Sequence, residues 1–290
     1  GSFHEYSASL EKSKVYNIEK KNYYFVCSDI INLLNVFSYG ADKDDKEYDD
    51  LVSELYKFSD YLKLPSLKVQ ADYRKGIRCY RKGDYESAKN LFERSLKYVR
   101  YSGDKELYLS NLYYLGKLLF DIGDFSCAIR KLSLLVKEAG KCKNDLHILN
   151  AARVLTLIYL RRGNFRCAAK FIEITINLAK KNNDLYLIGK FNYFYGTIFQ
   201  AKGNIKKAEF YFNLSIKFYE DYSALSSRNL LKEIEISKAS IEALKFEYSD
   251  IYKIINKDIV QNKCRITATA FFFYHNLLNC GKNNLQECEK

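Results

Sequence analysis

The residue types that most often perform chemistry are scattered singly along this chain. Eight cysteines occur without any Cys-x-x-Cys pair, and the three histidines, His4, His147 and His275, stand far apart. Zinc modules need several cysteines or histidines at short, regular spacings. We therefore expect no metal site and no cofactor. Unpaired cysteines in a long chain are typical of a reducing compartment, so we expect a cytoplasmic protein.

Catalytic motifs are also missing from the sequence. It contains no GxxxxGK phosphate loop and no GxGxxG, HExxH or GxSxG pattern. Cys127 and Cys167 occupy equivalent positions in an internal repeat, which fits either a paired redox site or the shared packing of a repeated helix face. The sequence as a whole favours a protein that is not an enzyme.

Composition and charge narrow the class of protein further. The 290 residues are 48% hydrophobic and 16% aromatic, which is enough to bury a sizeable core and excludes extensive disorder. One proline and 13 glycines supply too few turns for a many-stranded sandwich or barrel. The 47 Lys and Arg against 35 Asp and Glu give a net charge of +12, which suits acidic proteins, nucleic acid or an anionic membrane surface as partners.

Two features bear on the location of the protein. No apolar stretch reaches the roughly 20 residues that a membrane-spanning helix needs. The sequence begins Gly1-Ser2 and contains no methionine, so we expect these two residues to be a cloning remnant and the native start to be missing. A targeting segment is therefore an open question.

An internal repeat organises the middle of the chain. A glycine followed by Asp or Asn recurs at a constant interval, at Gly83, Gly123, Gly163 and Gly203, and an alanine follows five residues after each glycine. Seven residues before each glycine stands a small residue, which is Gly in three copies and Thr156 in the other. Such fixed spacing is the sequence signature of a stacked helical repeat.

Each half of the repeat has the apolar spacing of a helix, with steps of three and four residues. The glycine accepts the left-handed conformation that ends the first helix, and the side chain of the next residue can cap the second. The small residues predict a close approach of the two paired helices. Gly83, Gly123, Gly163 and Gly203 are therefore predicted to be the structural turns of an antiparallel array.

These features resemble the tetratricopeptide (TPR) repeat superfamily, in the 40-residue long-helix subtype of kinesin light chain, polarity adaptors and Rap-type regulators. The resemblance covers about residues 69–224. It departs from the family at the usual tryptophan, which is tyrosine or Arg153 here, and in lacking the terminal proline. It implies an all-α, TPR-like α-solenoid of antiparallel helix pairs with capping helices at both ends.

Outside the repeats, the sequence predicts additional helices at both ends. Segments 15–39 and 47–62 form a predicted N-terminal helical pair or degenerate repeat, within a first region of residues 1–64. The four repeats occupy residues 65–224. Residues 225–290 are expected to form capping helices at 227–246, 249–260 and 265–279. The apolar run 267–274 either caps the last repeat or docks on another chain.

The resemblance also implies a binding surface, because the first helices of TPR-like repeats line a concave face. The positions that would contact a partner are basic or aromatic, and they are Tyr73, Arg81, Tyr113, Lys117, Arg153, Arg161, Lys190 and Tyr193. Tyrosine and arginine are enriched in binding hot spots. Packing of some of these tyrosines between helices is the alternative interpretation.

The function that follows is a protein-interaction adaptor or scaffold. We expect it to bind a protein or peptide segment with acidic residues and apolar anchors, alone or as a subunit of a larger complex. Two alternatives stay open: a nucleic-acid-binding helical repeat protein, with weak binding, and a peptide-responsive Rap-type regulator.

Overall fold

The computed structural model describes residues 2–39, 45–226 and 228–247, and the chain is helical throughout these ranges apart from short turns and connections. Their helices are α1 (Ser2–Glu19), α2 (Tyr23–Tyr39), α3 (Asp45–Leu62), α4 (Pro65–Arg81), α5 (Tyr85–Ser102), α6 (Lys105–Asp121), α7 (Phe125–Lys141), α8 (Asp145–Arg161), α9 (Phe165–Lys181), α10 (Leu185–Ala201), α11 (Ile205–Leu225) and α12 (Leu231–Glu247). No strand occurs in the described ranges. The predicted all-α class is confirmed.

The chain divides into two compact units, which are Gly1–Glu138 (unit 1) and Ala139–Lys290 (unit 2). The division falls inside α7 and therefore inside the region 65–224 that the repeat pattern delimits. In each unit, helices that follow one another in sequence pack together.

Four turns lie at the glycines that the repeat pattern singles out. Their φ angles are positive, at +81°, +85°, +66° and +71° for Gly83, Gly123, Gly163 and Gly203. The next residue caps the following helix in each case. The Asp124 carboxylate, for example, accepts a hydrogen bond from the Cys127 backbone N–H at 3.0 Å. A left-handed residue followed by an Asp or Asn cap thus joins the two helices of every pair.

A second set of turns, which was not predicted from the sequence, joins one helix pair to the next. Gly103, Lys143 and Asn183 have φ angles of +79°, +53° and +53°. The caps that follow them are Asp104, Asn144 and Asp184, which accept hydrogen bonds from backbone N–H groups three residues further on at 3.0, 3.1 and 3.0 Å. The two sets alternate, so that turns of one design lie at regular intervals from position 83 to position 203.

The small residues of the repeat pattern lie where paired helices approach most closely. A Cβ added to Gly76 of α4 would lie 2.8 Å from the Phe92 ring of α5, and one added to Gly116 of α6 would lie 2.7 Å from Leu132 of α7. Both partner side chains are fully buried. The predicted close approach is therefore present, because large side chains of the second helix occupy the space that a Cβ would need.

The N-terminal region differs from its prediction. The segment 15–39 is not one helix, because the chain breaks between α1 and α2 at Lys21, whose φ is +56°. The two helices are joined by the Asp29 carboxylate of α2, which accepts hydrogen bonds from Ser13 at 3.0 Å and Asn17 at 2.9 Å. Unit 1 therefore begins with three helices before the repeats, where the sequence predicted a pair.

The last helix of the described residues, α12, starts later than predicted, at Leu231. Its Leu244 packs with Phe212 of α11, and its Ile234 packs with Ile216. This apolar face covers α11, as the first helix of a further repeat would. The helices predicted at 249–260 and 265–279, together with the apolar run 267–274, lie outside the described residues.

The close approach of helices generates a prediction about two glycines. We expect Gly116→Ala to destabilise the protein by roughly 1 to 3 kcal/mol, because the added methyl group overlaps Leu132 in a packed core. Gly140→Ala is the matched control, since α7 leaves open space there and alanine favours a helix by up to ~1 kcal/mol. Urea unfolding measures both, and equal stability of the two variants would contradict a tight contact at Gly116.

The caps generate a prediction about pH. The Asp124 carboxylate accepts hydrogen bonds from Cys127, and these bonds lower the pKa of Asp124. A lowered pKa in the folded state means that the stabilisation is present above the unfolded-state pKa of about 3.9 and is lost as the pH falls through the folded-state value.

Asp124→Asn should therefore unfold with a shallower pH dependence between about pH 5 and 2, while Asp124→Ala should be less stable than the parent at pH 7 because the helix cap is lost. Asparagine already serves as the cap at Asn164. Thermal melts across this pH range test the prediction, and parallel curves for parent and Asp124→Asn would refute it.

Candidate functional site

In unit 1, the predicted binding residue Lys117 of α6 lies over an aromatic side chain of α4. The Lys117 ammonium lies 5.3 Å from the centre of the Tyr80 ring, within the range of a cation–π contact. The Tyr80 hydroxyl donates to the Asp121 carboxylate, and burial and this carboxylate raise the pKa of Tyr80. Lys117 is half-buried, so a cation is held against an aromatic surface.

Two other predicted residues of unit 1 are accessible. Tyr113 is half-buried and meets Tyr114 edge-on at 5.4 Å between ring centroids. Arg81 is exposed at the end of α4. Together with Lys117, they give unit 1 a surface of cations beside aromatic rings.

Tyr73 and Tyr193 do not belong to an accessible surface. Tyr73 is 6% exposed and Tyr193 is 8% exposed. The Tyr73 ring packs against Tyr114 at 5.8 Å, and the Tyr193 ring packs against Phe212 at 5.4 Å. Burial raises the pKa of both hydroxyls. These tyrosines therefore pack between helices. Their rings are not exposed, so they are not available for the partner contact that the sequence predicted.

In unit 2, the predicted residues Lys190 and Arg153 lie near each other. The Lys190 ammonium is 5.8 Å from the centre of the Tyr186 ring in the same helix. Burial lowers the pKa of Lys190, the nearby Arg153 lowers it further, and Glu233 of α12 opposes this shift. A half-buried positive charge thus faces a second cation and is only partly compensated.

Arg161 and Arg153 belong to a segment of strong positive charge. No acidic residue occurs in residues 146–172 or 185–208, which include most of α8 and α10 and the beginnings of α9 and α11. Arg161 is exposed at the end of α8 and Arg153 is half-buried. The first helices of the two repeats in unit 2, α8 and α10, therefore contain several cations and almost no acidic residues.

Tyr186 and Glu233 were not predicted from the sequence as site residues. Tyr186 lies in the first turn of α10, before the positions counted from the shorter family repeat. Glu233 lies on α12, which lacks the glycine mark of the repeats. The helical spacing was a usable signal for Tyr186, because it lies four residues before Lys190 and therefore on the same face of the helix.

Comparison with solved structures gives a match over nearly the whole chain. The crystal structure of BtubC (BKLC) from P. vanneervenii has a TM-score of 0.54 at 11% identity, covering 95% of this chain and 93% of that chain. The chain has a TPR-like fold. Aspartyl phosphate phosphatase F from Bacillus subtilis has a TM-score of 0.45 at 12% identity, covering 80% of this chain and 68% of that chain.

Comparisons of sequence add nothing to this likeness. No protein-family model matches the chain, and no curated protein matches it. Among the described residues, no helix is long and apolar enough to cross a membrane.

The environment of Lys190 generates a prediction about stability. A lysine whose pKa is lowered in the folded state binds fewer protons there than in the unfolded state between the two pKa values. The cost of its charge to stability is therefore fully present below the folded-state pKa and is lost as the pH rises from that value to the unfolded-state pKa.

Lys190→Met keeps the length of the side chain without its charge. We expect the variant to be at least as stable as the parent at pH 7, with the difference shrinking towards pH 10. Urea unfolding at several pH values measures this difference. A variant that is clearly less stable than the parent at pH 7 would show that the charge of Lys190 is well compensated.

Proposed function

We propose that this TPR-like chain is a non-enzymatic protein-interaction scaffold that binds an acidic segment of a partner protein. The observation that carries the proposal is the half-buried Lys190, whose pKa is lowered by burial and by Arg153. Proteins pair buried or half-buried charges, since an uncompensated one is costly. A carboxylate of a partner would supply the missing compensation at this place.

Aromatic rings next to these cations suit a partner segment that has apolar residues beside its carboxylate. Tyr186 lies beside Lys190, and Tyr80 lies beside Lys117 in unit 1. Amphipathic rings near a cation provide contact area and hydrogen bonding together. We propose that each unit contacts a peptide stretch that combines Asp or Glu with aliphatic or aromatic residues.

We also propose that the protein is located in the cytoplasm, which is a reducing compartment. The five cysteines of the described residues are free, and one of them, Cys27, is buried with its pKa raised to about 11. A thiol with a raised pKa is a poor nucleophile at neutral pH. This supports a structural role for Cys27 and a scaffold without thiol chemistry at that position.

A display library of random 12-residue peptides, selected on the immobilised full chain, tests the proposal without a known partner. We expect the selected peptides to be enriched in Asp and Glu together with apolar residues. Calorimetry on an enriched peptide should show a loss of about tenfold or more for Arg153→Glu/Lys190→Glu, which corresponds to ~1.4 kcal/mol.

The matched control is Lys217→Glu/Lys238→Glu, which makes the same charge change at two exposed positions of unit 2. It should lower affinity by less than about twofold. Selection of neutral or basic peptides, or equal losses in the two double variants, would refute an acidic partner on this surface.

A further inference from the structure

A second basic surface lies at one edge of unit 2, at the α8–α9 and α10–α11 turns. We name it the turn edge and define it by five exposed cations, Arg162, Arg166, Lys202, Lys206 and Lys207. Helices α9 and α10 pack together, and the Tyr195 hydroxyl in the second half of α10 donates to the Ala169 carbonyl in the first turns of α9, at 3.2 Å. Because the chain reverses direction between α9 and α10, the start of α9 and the end of α10 lie at the same edge of the unit.

Positive charge exceeds negative charge at the turn edge, where Glu209 of α11 is the acidic residue nearest in sequence. The acid-free segments 146–172 and 185–208 contain all five cations. Within the part of the chain that the structure describes, no acidic side chain forms an ion pair with any of them. Five clustered positive charges repel one another, and a ligand with several closely spaced negative charges relieves this repulsion.

Two of these lysines lie beside an aromatic stack. The Phe199 and Tyr211 rings are stacked with centroids 5.3 Å apart and an angle of 3° between their planes. The ammonium groups of Lys207 and Lys202 lie 5.3 and 6.0 Å from the centre of the Phe199 ring. Cation–π contacts restrict the lysine side chains, which lowers the entropy cost of ordering them on a ligand.

One exposed ring borders this stack. Phe210 is 60% exposed and meets Tyr211 edge-on at 5.2 Å. It is the one exposed large hydrophobic side chain that the structure describes between residues 147 and 224. A single ring offers a stacking surface for a base, whereas binding to a bilayer surface needs a larger apolar face.

We propose that the turn edge binds single-stranded nucleic acid, a ligand distinct from the acidic peptide of the proposed function. The arginines and lysines contact phosphates, and Phe210 stacks on a base. Single-strand binders combine these two elements, a positive surface along the backbone and aromatic side chains for the bases. Binding does not depend on sequence, because no hydrogen-bonding group is required to read a base edge.

The test is fluorescence anisotropy of a labelled 15-nucleotide oligouridine with the full chain, from 50 to 200 mM KCl. Each phosphate neutralised contributes about −0.7 to the slope of log K against log salt for single strands. Contacts from all five cations would give a slope of about −3.5 and a loss of roughly 100-fold over this range.

Two variants separate the phosphate contacts from the stacking contact. Lys202→Glu/Lys207→Glu should weaken binding at least tenfold at 50 mM salt and reduce the slope by about 1.4. Phe210→Ala should weaken binding about fivefold or more with the slope unchanged, because stacking releases no counterions. Phe210→Trp keeps an aromatic ring and should bind as tightly as the parent. Circular dichroism melting checks that each variant folds.

Lys217→Glu/Lys238→Glu serves again as the control for net charge, and it should retain most of the affinity. The proposal is overturned by no binding at 50 mM salt, or by equal losses in the two lysine double variants. It is also overturned if a 15-base-pair duplex binds the parent as tightly as the oligouridine does and its affinity is unchanged in Phe210→Ala. Binding to mixed phosphatidylcholine and phosphatidylserine vesicles in preference to the oligouridine would assign the surface to a membrane instead.

Discussion

The turn that recurs at each connection between helices from Gly83 to Gly203 is the constraint on which the rest of this structure depends. A residue in the left-handed region ends one helix, and the following Asp or Asn caps the next, so most helices between α4 and α10 have 17 residues. Equal helix lengths keep the register from drifting between pairs. A small residue therefore meets a large one at the same height in successive pairs, as Gly76 meets Phe92 and Gly116 meets Leu132.

The sequence predicted the parts of the fold in which residue type is dictated by backbone or space. Gly83 and its equivalents were predictable because the left-handed region excludes most side chains, and Gly116 because no Cβ fits there. The turns at Lys143 and Asn183 were not predicted, because lysine and asparagine are also common in helices and their residue type does not indicate a positive φ. The caps Asn144 and Asp184 that follow them, at equivalent positions of successive repeats, were the remaining signal.

The candidate site was less predictable, because exposure depends on neighbours that the repeat register does not specify. Tyr73 and Tyr113 occupy equivalent positions in successive repeats, yet Tyr73 is buried against Phe92 and Tyr114 whereas Tyr113 is half-buried. Tyr193 packs on Phe212 in the same way and is also contacted by α12, since Ser240 lies 3.4 Å from its hydroxyl. A helix outside the regular repeats thus determines which repeat residues stay accessible.

The two basic surfaces of unit 2 differ in how far their charges have lost contact with water, and this difference supports a different proposed ligand for each. Lys190 is half-buried, so it has already lost much of its hydration, and a carboxylate gains a strong and weakly screened interaction there. The turn-edge lysines remain in water, where each contact is weak and screened by salt, and only a ligand with many charges gains from them together. Desolvation therefore favours one well-placed acidic group at Lys190, and solvated charge density favours a polyanion at the turn edge.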